Sequence, residues 1–284
     1  MFTVFKHNLG RSRGAILGWG ITLALLGMMF VPFYDVIADD IETWETLMSV
    51  YPEEILSFFG DAVAFTTPEG FLSLEYFSFM PIILGIYALL AGSGLLAEDE
   101  ERGILDLIVA QPVSRTALLW GRLLAFLASV VIILVLGWAG VMLATTYSSM
   151  ELDPVQLLVP FASMGGILVF FAGLALFFSM VLPSRRMASM VSGIVLIGGF
   201  FINGLANISD TLSDIAPFLP LYYYQGDTWP NGLDVNALLI LTGFGFGFML
   251  VAWWAFLRRD IRVGGEGGWK FKLPRFLRRR TAEA

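Results

Sequence analysis

The sequence predicts an all-α integral membrane protein with six transmembrane helices and both termini in the cytoplasm. Three observations support this fold class. Hydrophobic residues make up 57% of the 284 residues, and the mean hydropathy is +0.77, which is too apolar for a soluble domain. Six runs are close to the roughly 20 apolar residues that cross a bilayer. All 17 Lys and Arg fall before the runs, after them, or in or just inside the edge of every second connection between them, and the positive-inside rule makes those segments cytoplasmic.

The first 14 residues predict a short amphipathic helix that lies on the inner membrane surface. Phe2, Phe5 and Leu9 fall at helical spacing, while basic residues occupy the other faces. Six predicted spans follow this helix, at residues 15–34, 74–97, 117–145, 155–182, 187–208 and 237–257.

Residues 258–284 are predicted to form a basic cytoplasmic tail. This tail combines aromatic residues with Lys and Arg, a composition that favours contact with anionic lipid of the inner leaflet. Membrane proximity already explains its charge, so nucleic acid is not an expected partner. We therefore treat residues 1–284 as a single transmembrane domain with residues 15–257 as its membrane-spanning part.

Acidic residues are distributed in the opposite way from basic ones. Segments 35–75, 146–154 and 209–236 contain no Lys or Arg, and they hold 16 of the 24 Asp and Glu. We interpret this acidic exterior as a consequence of orientation and habitat. An outer vestibule that attracts cations is the alternative.

The first outer segment is the longest and predicts short helices at the membrane surface. Ile41, Trp44 and Leu47 are helically spaced. Pro52 and the sequence Thr-Pro-Glu at 67–69 are start signals for further helices, because Pro suits the first helical position and acids suit the first turn.

Two groups of polar residues are candidates for a substrate pathway or gate. Asn203 and Asn207 are the main amide groups in the fifth predicted span, and packing and a pathway role are equally compatible with them. Tyr222, Tyr223 and Tyr224 lie at a span edge, where an interfacial aromatic belt is the usual explanation. An outer gate is the alternative for the tyrosines.

Small residues spaced four apart predict close helix packing in the second half of the chain. We expect these pairs to pack inside the bundle, and a seam between two subunits is the alternative. The pairs are Ala162/Gly166, Ser189/Gly193 and Gly243/Gly247.

Composition excludes several classes of enzyme and metal protein. The chain has no Cys, which excludes disulfides, thiolate metal sites and thiol nucleophiles. The single histidine, His7, leaves almost no material for a zinc hydrolase or a His-based triad. The acidic cluster at 98–102 faintly resembles that of membrane-embedded CAAX-type proteases, but those enzymes also need His within later spans. We expect no catalytic residue, metal or cofactor in this chain.

A transporter of this sequence would need an external source of energy. Ion-coupled carriers usually place charged residues deep in their spans, and the predicted spans nearly lack them. A Walker A loop requires Lys after Gly, and none of Lys6, Lys270 and Lys272 follows Gly. ATP hydrolysis in such a pump would take place on a separate polypeptide.

Residues 98–122 form the one long polar passage between two predicted spans on the cytoplasmic side, and we call this passage the elbow. Glu98 and Arg102 are four residues apart, as are Arg102 and Asp106. This spacing predicts that the second span continues as a helix whose polar side is internally paired.

Leu105, Ile108 and Val109 predict an apolar face on the other side of that helix. A short helix protruding from the membrane could dock in the groove of a partner protein. A well-capped loop without a partner is the alternative.

The elbow also contains a predicted stop and restart. Pro112 removes a backbone donor and disfavours helix at Gln111, so the chain is expected to turn there. Ser114 is a good N-cap for the third span, and Val113 and Leu118 are spaced as a hydrophobic staple.

These elbow residues resemble the central signature of the permeases of type-2 ATP-binding-cassette (ABC) exporters. That family commonly shows an acidic residue, then G-T-L-E-x-L-L, P-V-S-R and a later G-K. Here Glu101 precedes the run GILDLIVAQPVSR at 103–115, and Gly-Arg follows at 121–122. Three positions depart from the pattern, with Ile104 for Thr, Asp106 for Glu and Arg122 for Lys.

The resemblance implies a permease subunit in the plasma membrane of a prokaryote. Such a subunit pairs with a second permease, identical or related, and contacts a separate ATPase subunit that holds ATP and Mg²⁺. It implies that residues 103–110 form the coupling helix of an ATP-driven exporter, and a non-transporting membrane scaffold is the alternative. The residues expected at the ATPase contact are Glu98, Glu101, Arg102, Gly103, Leu105, Asp106, Leu107, Ile108, Pro112, Ser114 and Arg115.

Overall fold

A computed structural model describes residues 1–50 and 65–258, apart from the side chains of Glu45, Met48 and Asp106. In this part of the chain every regular element is helical. The predicted helix starting at Pro52 and nearly all of the basic tail lie outside the described residues. The predicted N-terminal helix is present as Phe2–Arg11, which we call the interface helix.

Six helices are long and apolar enough to cross a membrane, which confirms the predicted fold class. In chain order, the six spans are Arg13–Ala38, Pro68–Glu101, Arg115–Thr145, Leu158–Val181, Arg185–Leu205 and Val235–Arg258. Shorter helices occupy the connections, at Ile41–Ser49 after the first span, Leu105–Val109 in the elbow and Asp210–Ile215 after the fifth span. Single 3₁₀ turns follow at Ala216–Phe218, Pro220–Tyr223 and Trp229–Asn231.

The second span starts earlier than predicted and is not uniform. The Thr67 hydroxyl accepts a hydrogen bond from the Gly70 amide at 3.1 Å, and Pro68 occupies the first turn, so the predicted start signal is confirmed. This first turn, Pro68–Leu72, does not form a separate surface helix. It continues through a π-helical turn at Ser73–Phe77 into Met80–Glu101.

The fourth span lies at the centre of the bundle. Of its most apolar stretch 72% is buried, against 28% for the first and sixth spans and 22% for the fifth. Close backbone approaches hold it there, because a side chain on Gly92 would collide with the backbone of Ala172, and one on Gly173 with that of Gly245. The second and sixth spans therefore pack directly against the fourth.

The predicted small-residue pairs divide into internal and open ones. Gly166 faces Leu238 and Leu241 of the sixth span, as expected for internal packing. Gly193 and the pair Gly243/Gly247 have no other described atom within 4 Å of where a Cβ would lie. The prediction of internal packing is wrong for these glycines, because they lie on helix faces that the described chain leaves uncovered.

The interface helix, the elbow and the end of the sixth span lie at the same end of the bundle, which we call the inner end. Gly121 of the third span lies against Val4 of the interface helix. The guanidinium group of Arg115 donates a hydrogen bond to the carbonyl of Phe256, near the end of the sixth span, at 3.1 Å. The opposite, outer end carries the segments that lack Lys and Arg.

Candidate functional site

Within the elbow, the helix of the second span ends at Glu101, and Gly103 caps it. Gly103 has φ +68°, a left-handed conformation that Gly adopts without steric cost. The Gly103 amide donates to the carbonyl of Glu100 at 3.0 Å, and the Ile104 amide donates to that of Asp99 at 2.9 Å. This pair of bonds is a Schellman cap. The prediction that the second span continues as a helix from Glu98 through Asp106 is therefore wrong.

The elbow helix is Leu105–Val109, shorter than the predicted 103–110. Leu105 is only 1% exposed, and Ile108 and Val109 pack against the core. The face predicted to meet a partner thus meets the bundle instead. Leu107 points the other way and is 67% exposed, so it is the main apolar side chain that the elbow helix offers to a partner.

The third span restarts as predicted. The Ser114 hydroxyl accepts a hydrogen bond from the Ala117 amide at 3.1 Å, which confirms Ser114 as the N-cap. Between the two helices, the Val113 amide donates to the carbonyl of Gln111, so the chain turns around Pro112. Arg115 lies over the Phe256 ring at 5.6 Å in addition to its backbone contact, which fixes the restart to the sixth span.

The first four residues of the elbow, Glu98–Glu101, contact other elements of the inner end. We call this segment the acidic stem. Glu98 pairs with Arg102 at 2.6 Å, as predicted, and also with Arg185 of the fifth span at 3.1 Å and with Arg11 at 4.0 Å. A carboxylate oxygen of Glu101 accepts a hydrogen bond from the Arg185 amide at 2.8 Å, at the start of the fifth span. The predicted pair of Arg102 with Asp106 lies outside the described side chains.

A buried ion pair between the acidic stem and Arg122 joins the second and third spans. Asp99 and Arg122 approach to 2.5 Å, and their side chains are 4% and 9% exposed. Arg122 also donates a hydrogen bond to the carbonyl of Leu95. Asp99 was not among the residues predicted to have a role. Opposite charges at the facing ends of two apolar runs were the signal that could have found the pair.

A cavity of about 470 Å³ opens at the inner end between the interface helix and the first, second, third and fifth spans. We call it the inner cavity. Its polar part contains Glu98, Asp99 and three arginines, and its apolar part contains Trp19, Tyr87 and Phe126 among others. The volume lies within the usual range for small-molecule sites.

A smaller cavity of about 110 Å³ lies at the outer end and brings together three of the five pathway candidates. Asn203, Asn207 and Tyr224 all line it. Tyr222 is exposed and Tyr223 donates a hydrogen bond to the carbonyl of Pro217 at 2.9 Å, so these two tyrosines do not line the cavity.

Asp227 also lines this outer cavity, although it was not among the predicted pathway residues. Its side chain is accessible to solvent, yet protein surrounds it closely enough that desolvation raises the pKa of its carboxyl group, while backbone hydrogen bonds from Asp227 and Thr228 oppose the rise. Because the group is accessible, we expect a modest shift.

The described residues contain no group of three His, Asp or Glu side chains arranged to hold a metal ion. Comparison with protein families gives one match, a model described as ABC-2 family transporter protein, which covers residues 2–261. The chain belongs to the ABC-2 transporter family. No curated protein shows significant similarity to it.

Family membership gives the elbow and the spans their context. This ABC-2 permease is a multi-pass membrane protein, and the family describes a transporter subunit rather than a catalytic one. The resemblance seen in residues 101–122 is therefore confirmed at the level of the family. A non-transporting scaffold is not favoured.

Proposed function

We propose that the ABC-2 permease is the membrane subunit of an ATP-driven exporter and that the elbow helix couples it to a separate ATPase subunit. The observation that carries this proposal is the orientation of the elbow helix. Leu105 anchors the elbow helix in the bundle, while Leu107 projects away from the bundle. A force that an ATPase applies at Leu107 would therefore be transmitted to the spans through Leu105.

The acidic stem supports the same role. Glu98 and Glu101 contact Arg185, so the stem that carries the elbow also contacts the first turn of the fifth span. Movement of the elbow would therefore reach the second and third spans through the chain and the fifth span through charged contacts. ATP and Mg²⁺ would be held by the ATPase, and the permease would contribute the substrate pathway.

Substitution of Leu107 tests the coupling proposal. In a reconstituted complex with the ATPase subunit, Leu107→Glu is expected to abolish permease-dependent stimulation of ATP hydrolysis, because a charge replaces the exposed apolar contact. Val155→Glu is the matched control, since Val155 is 71% exposed and lies in a segment at the outer end. Stimulation that survives in Leu107→Glu would show that the elbow helix is not the coupling device.

We also propose that two permease subunits pair through the fifth span. This span is the least covered of the six, and Gly193 faces open space on it. The native chain has no Cys, so Gly193→Cys can be oxidised without background. A disulfide-linked dimer is expected for Gly193→Cys and none for Gly166→Cys, which faces the sixth span. If both variants remained monomeric after oxidation, the interface between the two permease subunits would not lie at Gly193.

Exporter direction and location in a prokaryotic plasma membrane complete the proposal. The acidic outer segments and basic inner segments support a cytoplasmic elbow, where an ATPase would meet it. Protease protection of a tag on the C-terminus in right-side-out vesicles tests this orientation. Cleavage of the tag from outside would reverse the assignment of inner and outer ends.

A further inference from the structure

The inner cavity lies beside the acidic stem and shares Glu98, Asp99 and Arg185 with its contacts. It lies beneath the interface helix, and three guanidinium groups line it, those of Arg11, Arg122 and Arg185. Of the described carboxylates, those of Glu98 and Asp99 line it as well. The lining therefore has one positive charge more than it has negative charges.

The arginines are not equally occupied by these carboxylates. Arg185 contacts Glu98 at 3.1 Å, whereas Arg11 reaches Glu98 only at 4.0 Å and its side chain is 56% exposed. Arg11 is thus the weakest-held cation of the cavity. A negatively charged ligand would bind most favourably at Arg11, because no carboxylate of the cavity lining is within hydrogen-bond distance of its guanidinium group.

Arg122 provides a second, independent observation. Its two terminal nitrogens bond Asp99 and the carbonyl of Leu95. Its Nε is buried and has no hydrogen-bond partner among the described residues, although Arg122 lines the cavity. A buried donor without a partner is costly, and a turn of the guanidinium group towards the cavity would let a bound acceptor oxygen satisfy it.

The apolar wall of the cavity is aromatic and continuous. Tyr87 lies 5.7 Å from the Trp19 ring and 6.1 Å from the Phe126 ring, measured between ring centroids. Ile86 and Leu90, one helical turn apart on the second span, also line the cavity and are 41% and 46% exposed. The wall is therefore open on the side where the span faces the bilayer.

We propose that the inner cavity binds an amphiphile with an anionic phosphate headgroup, taken from the inner leaflet of the membrane. The phosphate would lie between Arg11 and the guanidinium group of Arg122, and the acyl chain would run along Tyr87 and leave past Ile86 and Leu90. Anionic lipids are enriched at the cytoplasmic surface, where this cavity lies. The site shares Glu98 and Arg185 with the coupling route of the acidic stem, but lipid binding there does not require the proposed coupling function.

Native mass spectrometry of the full chain, released from nanodiscs, tests this proposal. The probes are phosphatidylglycerol and phosphatidylcholine of the same acyl composition. The wild-type chain is expected to retain one phosphatidylglycerol and about tenfold less phosphatidylcholine, the usual effect of one charge-assisted contact. Equal retention of both lipids would overturn the proposal.

Two matched pairs of variants locate the site. Ala91→Phe fills the cavity from the second span and should abolish retention, whereas Ala128→Phe places the same side chain in an uncharged groove of the third span and should not. Arg11→Gln should lower retention about tenfold, whereas Arg13→Gln, which removes an equal charge outside the cavity lining, should leave it unchanged. Wild-type retention in Ala91→Phe, or in Arg11→Gln if Ala91→Phe does not fold, would refute the site.

A third arm separates a membrane lipid from free phosphate. Thermal unfolding in detergent is followed with inorganic phosphate or with phosphatidylglycerol at equal concentration. Stabilisation by phosphatidylglycerol alone is expected, because the apolar wall contributes only when a chain is attached. Equal stabilisation by inorganic phosphate would show that the wall has no role and would overturn the proposal. None of these measurements involves an ATPase, so their failure is distinguishable from failure of the coupling proposal.

Discussion

The two ends of the bundle are held together by different kinds of contact. At the inner end, carboxylates and guanidinium groups join the interface helix to the second, third and fifth spans. At the outer end, the described residues form hydrogen bonds but no ion pairs, and an example is the bond from the Trp229 indole to the Ser73 hydroxyl at 2.9 Å. Coulomb attraction declines gradually with distance, whereas a hydrogen bond is lost within a few tenths of an ångström.

This difference indicates which end can shift without losing its contacts. Displacement of the elbow would weaken the Glu98 ion pairs without abolishing them. At the outer end, the Gln225 side chain exchanges hydrogen bonds with the backbone of Asp234 at 2.7 and 3.0 Å, and a comparable displacement would break them. We expect the inner end to be the adjustable one, and four substitutions test that comparison.

The largest effect is expected at the buried ion pair of the inner end. Arg122→Ala leaves the Asp99 carboxylate buried without its partner, which typically costs about 3–5 kcal/mol. Thermal unfolding of the detergent-solubilised protein would measure this loss. Arg186→Ala is the control, because Arg186 is an exposed arginine at the same end. Equal stability of the two variants would show that the pair contributes nothing.

At the outer end, Trp229→Phe removes the indole donor and leaves the Ser73 hydroxyl, which is buried, without it. The expected cost is about 1 kcal/mol, as for a typical hydrogen bond. Because no charge is involved, the loss in unfolding free energy should be the same at low and high salt. If the loss in unfolding free energy became smaller in concentrated salt, an ionic contact would contribute at Trp229.

Glu98→Gln is expected to have a smaller effect, and that effect should depend on ionic strength. The Glu98 side chain is 27% exposed and its arginine partners are 29–57% exposed, so the pairs contribute about 1 kcal/mol or less. The difference from wild type should fall towards zero in 1 M salt, where the Debye length is about 3 Å. A difference that salt does not change would assign the effect to packing.

The smallest effect is expected at Asp227, and it should depend on pH. Desolvation raises the pKa of Asp227 above the ordinary value of 3.8. The folded state therefore binds a proton more readily than the unfolded state, and wild type should gain stability relative to Asp227→Asn as the pH falls from neutral towards 4. Chemical unfolding at several pH values measures the difference. A gain on raising the pH would reverse the sign of the assigned shift.

The sequence was sufficient for features that depend on neighbouring residues. Hydropathy predicted all six spans, because a membrane helix is apolar along its whole length. The caps at Thr67 and Ser114 were predicted because a cap is a contact over three residues. The end of the second span was missed, although Gly103 after a polar turn is a recognisable C-terminal signal.

Features that depend on distant residues were not predictable in the same way. Apolar residues occur on both sides of the elbow helix, so spacing alone did not show that Leu105 would face the bundle and Leu107 the outside. The pairing of Glu98 with Arg185 joins positions 87 apart in the chain. The convergence of Asn203, Asn207 and Tyr224 on one cavity likewise requires the fold.

The buried pair of Asp99 and Arg122 also bears on how the chain enters the membrane during synthesis. The second span carries its carboxylate out of the ribosome before the third span has supplied the arginine, and an unpaired charge within a membrane helix costs about 2.5–3.5 kcal/mol at the bilayer centre. We expect the two spans to insert as one helical hairpin. In nascent chains stalled before residue 122, a protease should still cleave within the second span, whereas in chains stalled beyond the third span it should not.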